Sequence, residues 1–156
     1  MHAVDGPYGR FFQIGYVTRD LAAAAARLAR MGARQIDLFE DFKRPGGEPS
    51  AIWGLSHLAL GGAELELIQP RLDRPSIYLE ALPAEADAIA LHHVGYMNPD
   101  VPAWEAAMAK IRADGATVAV EGATPRARFA YLDTRADLSH YTEVVWRDVG
   151  SLAERD

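Results

Sequence analysis

Four polar side chains interrupt apolar, strand-like segments at related places: Gln13 in 11–18, Glu66 in 63–69, His93 in 91–97 and Glu143 in 141–146. Together they offer an amide oxygen, two carboxylates and an imidazole. Oxygen and imidazole ligands of this kind suit one divalent ion per chain, of the zinc, nickel, cobalt, manganese or ferrous kind. With both carboxylates ionised an M²⁺ centre is formally neutral, which is easier to bury than an unpaired charge.

An internal repeat puts these residues in register. Ile14-Gly15-Tyr16 recurs as Val94-Gly95-Tyr96 at an offset of 80 (94 minus 14), and the same offset carries Asp20-Leu21 onto Asp100-Val101. The overlay pairs Gln13 with His93. From Gly32 to Gly115 the offset is 83 and from Glu66 to Glu143 it is 77, so the length differences fall in the helix and the loops. A unit repeated once, unable to cover its own sheet face, is expected to close with its copy into one domain.

The elements that must position these residues follow from periodicity and punctuation. Residues 11–18 alternate as a strand with Phe11, Gln13, Gly15 and Val17 on one face. Asp20 is placed to cap a helix over 21–31 with Leu21, Ala25, Leu28 and Met31 on one stripe, and Gly32 stops it. A short strand is expected at 35–39, a loop at 40–49 broken by Arg44-Pro45-Gly46-Gly47, and a hairpin at 50–69 turning on Gly61-Gly62. In its second arm Glu64, Glu66 and Ile68 share a face opposite Leu65 and Leu67. The second half repeats the plan, with a strand at 91–97 and a helix from the Asp100 cap to 113 carrying Trp104, Met108 and Ile111 on one stripe. A short strand at 117–120, a loop at 121–126 and a hairpin of 128–133 with 141–146 complete it.

Bulk properties narrow the function classes. A chain of 156 residues can bury roughly 70% of its unfolded surface, and 49% apolar with 24% charged residues is ordinary globular composition. A net charge of −6 argues against general attraction to nucleic acid or anionic membrane. The absence of cysteine excludes disulfides, thiolate ligands and cysteine nucleophiles. With no signal-like apolar run and no stretch of 18 apolar residues, a cytoplasmic location is expected.

The segments FFQIGYVTRDL (11–21), ELELIQP (64–70), ALHHVGY (90–96), FAYLD (129–133) and YTEVVW (141–146) resemble the vicinal oxygen chelate superfamily, the glyoxalase, bleomycin-resistance and dioxygenase fold. The pattern is similar to glyoxalase-type and methylmalonyl-CoA epimerase-like proteins. The resemblance implies an α+β fold of two tandem βαβββ modules forming a curved mixed sheet around a metal-binding cup. Its expected layout is a tail at 1–10, a single domain at 11–150 and a tail at 151–156, with modules at 11–70 and 91–148 and a connector at 71–90. It implies metal ligands at Gln13, Glu66, His93 and Glu143, and a homodimer. Gln13 stands where the family's commonest ligand is His, as it does in some glyoxalase I members. One His and two Glu do not make the two-His, one-carboxylate face of extradiol-type dioxygenases.

The expected chemistry is that of a metal-dependent glyoxalase-like isomerase, epimerase or lyase acting on a small oxygenated substrate through a stabilised enolate, with Glu143, or else Glu66, as base. The rivals are a metal-free small-molecule binding or resistance protein of the same fold and a metal-dependent dioxygenase. Trp53, His57, Met97 and Tyr131 are candidates for the substrate pocket, and Arg126 and Arg128 for a substrate carboxylate or phosphate. His92 points away from His93 by alternation and is expected to pack or support, and Glu64 is expected at a solvated rim.

Overall fold

The structure is a computed structural model that describes residues 6–44 and 46–148. The expected tail at 151–156, the first five residues of the expected tail at 1–10, and Pro45 of the 40–49 loop lie outside the described residues. Twelve elements follow in order among those described: β1 (Arg10–Thr18), α1 (Leu21–Arg30), β2 (Arg34–Glu40), β3 (Ile52–Leu60), β4 (Ala63–Pro70), α2 (Ile77–Glu80), β5 (Ile89–Met97), α3 (Val101–Ala113), β6 (Val118–Thr124), β7 (Ala127–Leu132), α4 (Arg135–Leu138) and β8 (Tyr141–Arg147). The fold is α+β, with β1-α1-β2-β3-β4 and β5-α3-β6-β7-β8 as its two βαβββ repeats and single-turn helices added at α2 and α4.

The described residues form two compact units, one within 13–93 and the other of 6–12 with 94–148. In the first, strands run in the order β2-β3-β4-β1, with β1 parallel to β4 and the other pairs antiparallel, so the sheet is mixed. Helix α1 covers one face. Its Leu21, Ala24 and Leu28 meet Ala33, Leu58, Leu65 and Leu67, which uses up the apolar side of β4 and leaves Glu64 and Glu66 on the other. Met31, expected on the helix stripe, is 69% exposed because the helix ends at Arg30 and Met31 is its C-cap.

In the second unit β8, β7 and β6 are antiparallel neighbours, packed by Trp104, Met108 and Ile111 of α3 against Ala130, Leu132 and Val144. The Trp104 indole N–H donates to the Val144 carbonyl at 3.0 Å, so the largest core side chain buries no unmet donor. The expected loop at 121–126 is instead mostly strand: β6 runs to Thr124, and Pro125-Arg126 make a two-residue turn into β7. Gly6 and Gly9 bridge, and Tyr8 stacks on Tyr96 with ring centroids 5.7 Å apart.

Both long helices start the same way. The Asp20 carboxylate accepts from Ala23 N at 3.0 Å and that of Asp100 from Ala103 N at 2.7 Å. Gln69 Oε1 accepts a second orphan donor, Leu21 N, at 2.9 Å. Positive φ angles at Gly32 (98°) and Gly115 (83°), one residue beyond each C-cap, end them. Replacing either cap aspartate by alanine is expected to cost about 1 kcal/mol. In urea denaturation Asp20→Ala should lose less than Asp100→Ala, because Gln69 still holds the first turn of α1.

Candidate metal centre

The centre is built from two rows of residues that cross the first unit's sheet. In one row Asp37 of β2 lies opposite His57 of β3, His57 opposite Glu66 of β4, and Glu66 opposite Gly15 of β1. In the other, Gln13 of β1 lies opposite Glu64 of β4. Directly opposed residues project on the same face and meet. The rows are two residues apart, so both point away from the face that α1 covers.

Gly15 ends the first row without a side chain, and the ring of His93 fills that place. A Cβ at Gly15 would overlap Cε1, Nδ1 and Nε2 of His93. Seated there, His93 Nε2 lies 3.2 Å from Gln13 Oε1 and 3.2 Å from Glu66 Oε2. His93 is fully buried and Gln13 is 2% exposed.

Each of these three groups is held from behind. The Gln13 amide donates to Glu64 Oε1 at 2.7 Å, which turns its oxygen toward His93. Glu64 therefore orients the amide and is not the solvated rim residue expected. His92 Nε2 donates to the Ile77 carbonyl at 3.2 Å, so in neutral His92 the other nitrogen accepts. His92 Nδ1 lies 3.0 Å from His93 Nδ1, within hydrogen-bond distance, which fixes the His93 ring from behind. The His92 ring is buried against Tyr78, centroids 5.0 Å apart. Glu66 Oε1 receives His57 Nε2 at 3.2 Å, and His57 Nδ1 lies 2.9 Å from both oxygens of Asp37.

Burial opposes a charge on His57, but hydrogen bonds to Asp37 and then Glu66, helped by both negative charges, outweigh it and push the imidazole up to about 10. His57 is thus a cation at neutral pH and donates from both nitrogens. Burial likewise raises Glu66, and the hydrogen bond from His57 with the interaction from His93 reverses that, holding the carboxyl well below the usual carboxylate range. Oε2 of Glu66 is nevertheless buried with no hydrogen bond.

These observations fit a divalent cation. Two acceptor oxygens around one imidazole nitrogen need a positive charge among them, either a proton on Nε2 or a metal ion. Ligands about 2.1 Å from a common ion at right angles stand roughly 3 Å apart, close to the spacing seen. Glu143, the fourth expected ligand, lies on β8 opposite Tyr131 and is 8% exposed.

The remaining candidates lie on separate elements. Trp53, half-buried on β3, lines a surface cavity with Gln69, Pro70, Arg71, Leu72 and Asp73. Met97 ends β5, and its carbonyl closes over Gly9. Tyr131 is buried edge-on to Tyr141, centroids 6.4 Å apart. Arg126 is exposed in the β6–β7 turn, and Arg128 Nη1 donates to the Thr124 carbonyl at 2.8 Å.

A profile of the Glyoxalase/Bleomycin resistance protein/Dioxygenase superfamily matches residues 12–131. The chain belongs to that superfamily. The matched segment carries Gln13, Glu66 and His93 and stops before Glu143. No curated protein matches the chain by sequence. Among solved structures it is similar to methylmalonyl-CoA epimerase from Mycobacterium tuberculosis, at 16% identity, TM-score 0.68, and 98% and 97% coverage of the two chains. A variant of the Streptomyces coelicolor epimerase in complex with 2-nitronate-propionyl-CoA is similar at 22% identity and TM-score 0.64, covering 89% and 94%. A hypothetical protein from Bacillus halodurans follows at 12% identity, TM-score 0.63, and 89% and 94%. At these identities the likeness is one of glyoxalase-superfamily fold.

Asp37 carried no sequence signal of its own, and Glu64 was placed on the Glu66 face but expected at a solvated rim. They become visible only once β2 is registered on β3 and β4 on β1. Gly15 was seen as part of a repeated triplet, without its spatial role. Gly15→Ala is expected to destabilise the protein by about 1–3 kcal/mol, because the buried His93 ring has nowhere to move. Gly122→Ala, which meets the half-buried Phe129 ring on the β6–β7 hairpin, should cost less, since that ring can swing outward. Denaturant midpoints of the two variants check the order.

Proposed function

We propose that this protein is a divalent-metal-dependent enzyme of the glyoxalase type, an isomerase, epimerase or lyase that moves a proton next to a carbonyl of a small oxygenated substrate. The observation that carries the reading is the approach of Gln13 Oε1 and Glu66 Oε2 to His93 Nε2, 3.2 Å each. Gln13, Glu66 and His93 would hold the ion. Glu143 joins the proposal as the counterpart of Glu66 in the internal repeat. Bound there, the ion would supply Lewis-acid polarisation of the substrate carbonyl.

The protein's own groups do the rest. Glu66 is held ionised by His57 and is a weak base, which favours Glu143 for taking the proton from carbon. Returning that proton to the opposite face of the same carbon gives epimerisation, and returning it to the neighbouring carbon gives isomerisation. Epimerisation is the version to try first, because the similar folds named above include epimerases. Among the described residues no helix is long and apolar enough to cross a membrane. We further propose a homodimer, on family resemblance.

Two measurements test the reading. Substrate turned over in D₂O, from a panel of carbonyl compounds bearing an acidic C–H, should gain deuterium at the carbon next to the carbonyl. Consumption without deuterium gain rejects proton transfer. Elemental analysis should find about one divalent ion per wild-type chain and little in the His93→Ala, Glu143→Gln double variant. Equal metal in both discards the proposed ligands, and no metal affinity in either points to the binding-protein rival.

A further inference from the structure

The Asp37–His57 pair is a half-buried ion pair, its side chains 20% and 13% exposed, whose purpose is not explained by stability. Desolvating an imidazolium between carboxylates carries a cost that its attractions largely offset, so the pair adds little net stability. The geometry around it is nevertheless over-determined. Asp37 Oδ1 accepts from the His57 backbone N–H at 2.8 Å as well as from Nδ1, so one carboxylate fixes both the backbone and the ring of His57. A ring fixed through Nδ1 and its own backbone has one orientation, and that orientation delivers Nε2 to Glu66 Oε1.

A β-bulge sets up this arrangement. The register of β2 on β3 shifts between Gln35 and Asp37, which brings Asp37 opposite His57. Ser56 Oγ donates to the Asp37 carbonyl at 2.7 Å and Gln35 Nε2 reaches Ser56 Oγ at 3.3 Å, tying the bulge down. Bulges commonly re-aim a side chain beside a site.

We propose that Asp37 and His57 are positioning residues that lock the Glu66 carboxylate, holding Oε1 so that Oε2 alone is presented toward His93 and an incoming metal ion. This deepens the proposed function and rests on Glu66 being a ligand. It also gives His57 a place in the centre other than contact with substrate, since both ring nitrogens are already engaged. Groups that orient a metal ligand from behind typically change affinity by about 10- to 100-fold when removed.

The test uses Co(II) and Zn(II) with the full chain. Wild type should bind one Co(II) with a defined visible spectrum. His57→Ala should bind about 10- to 100-fold more weakly and with a shifted spectrum, because Glu66 is then able to rotate. His57→Gln, whose amide can still donate to Glu66, should recover most of the affinity and the wild-type spectrum. Asp37→Asn leaves the ring in place and should fall between them, and it carries the test if His57→Ala fails to fold. Wild-type affinity and an unchanged spectrum in both His57→Ala and Asp37→Asn overturn the proposal. If wild type binds neither ion, the metal reading fails, and crystal structures of the metal-free variants decide the positioning role. A Glu66 carboxylate that has turned supports it; one that has not moved ends it.

Discussion

The imidazole of His93 occupies the volume that any side chain at position 15 would need, and the arrangement of the centre follows from that exclusion. A sheet row normally carries a side chain on every strand. Here the fourth member of the row Asp37, His57, Glu66 is a glycine, so the His93 ring occupies its place and completes the row from outside it. Because the ring fills the space over Gly15, Gln13 and Glu66 flank its Nε2 from adjacent rows. The steric gap at Gly15 lies two residues from Gln13 on β1 and directly opposite Glu66 on β4.

Charge balance then limits what the same face can carry. Three carboxylates, Asp37, Glu64 and Glu66, surround His57 and Gln13, and none is satisfied by solvent alone. One imidazolium and one amide absorb part of the negative charge, leaving Glu66 Oε2 and the His93 nitrogen as the place where more positive charge is stabilised. The opposite face of the same strands packs Leu58, Leu65 and Leu67 under α1. Alternation along β4 separates the two environments with no intervening layer: Leu65 and Leu67 belong to the core, Glu64 and Glu66 to the centre.

Much of this was legible in the sequence, for reasons that can be named. The repeat located Gln13, Glu66 and His93 because each interrupts an apolar strand, and the helices were bounded by aspartate caps and glycine stops that act locally. Failures arose where tertiary pairing decides. Met31 continued the helical stripe in sequence, but Gly32 ended the helix a residue before it could face the core. Residues 121–126 looked like a loop because Gly122 and Pro125 break strand patterns, yet Gly122 pairs with Phe129, whose ring fills the space a side chain would take. Asp37 and Glu64 were unremarkable acidic residues until a bulge and a parallel register gave them partners. His92 was expected to face away from His93, and the strand does alternate there, but the two rings turn edge to face at 5.3 Å and their nitrogens meet.

The bulge in β2 has a consequence for how such a protein can diverge. It lies on a terminal strand of its sheet, paired on one side only by β3, where gaining or losing one residue disturbs few other pairings. Such a change would exchange the residue facing His57 while leaving Gln13, Glu66, His93 and the apolar core untouched. Insertions and deletions at this margin therefore offer a route to retune the candidate centre without altering Gln13, Glu66 or His93 themselves.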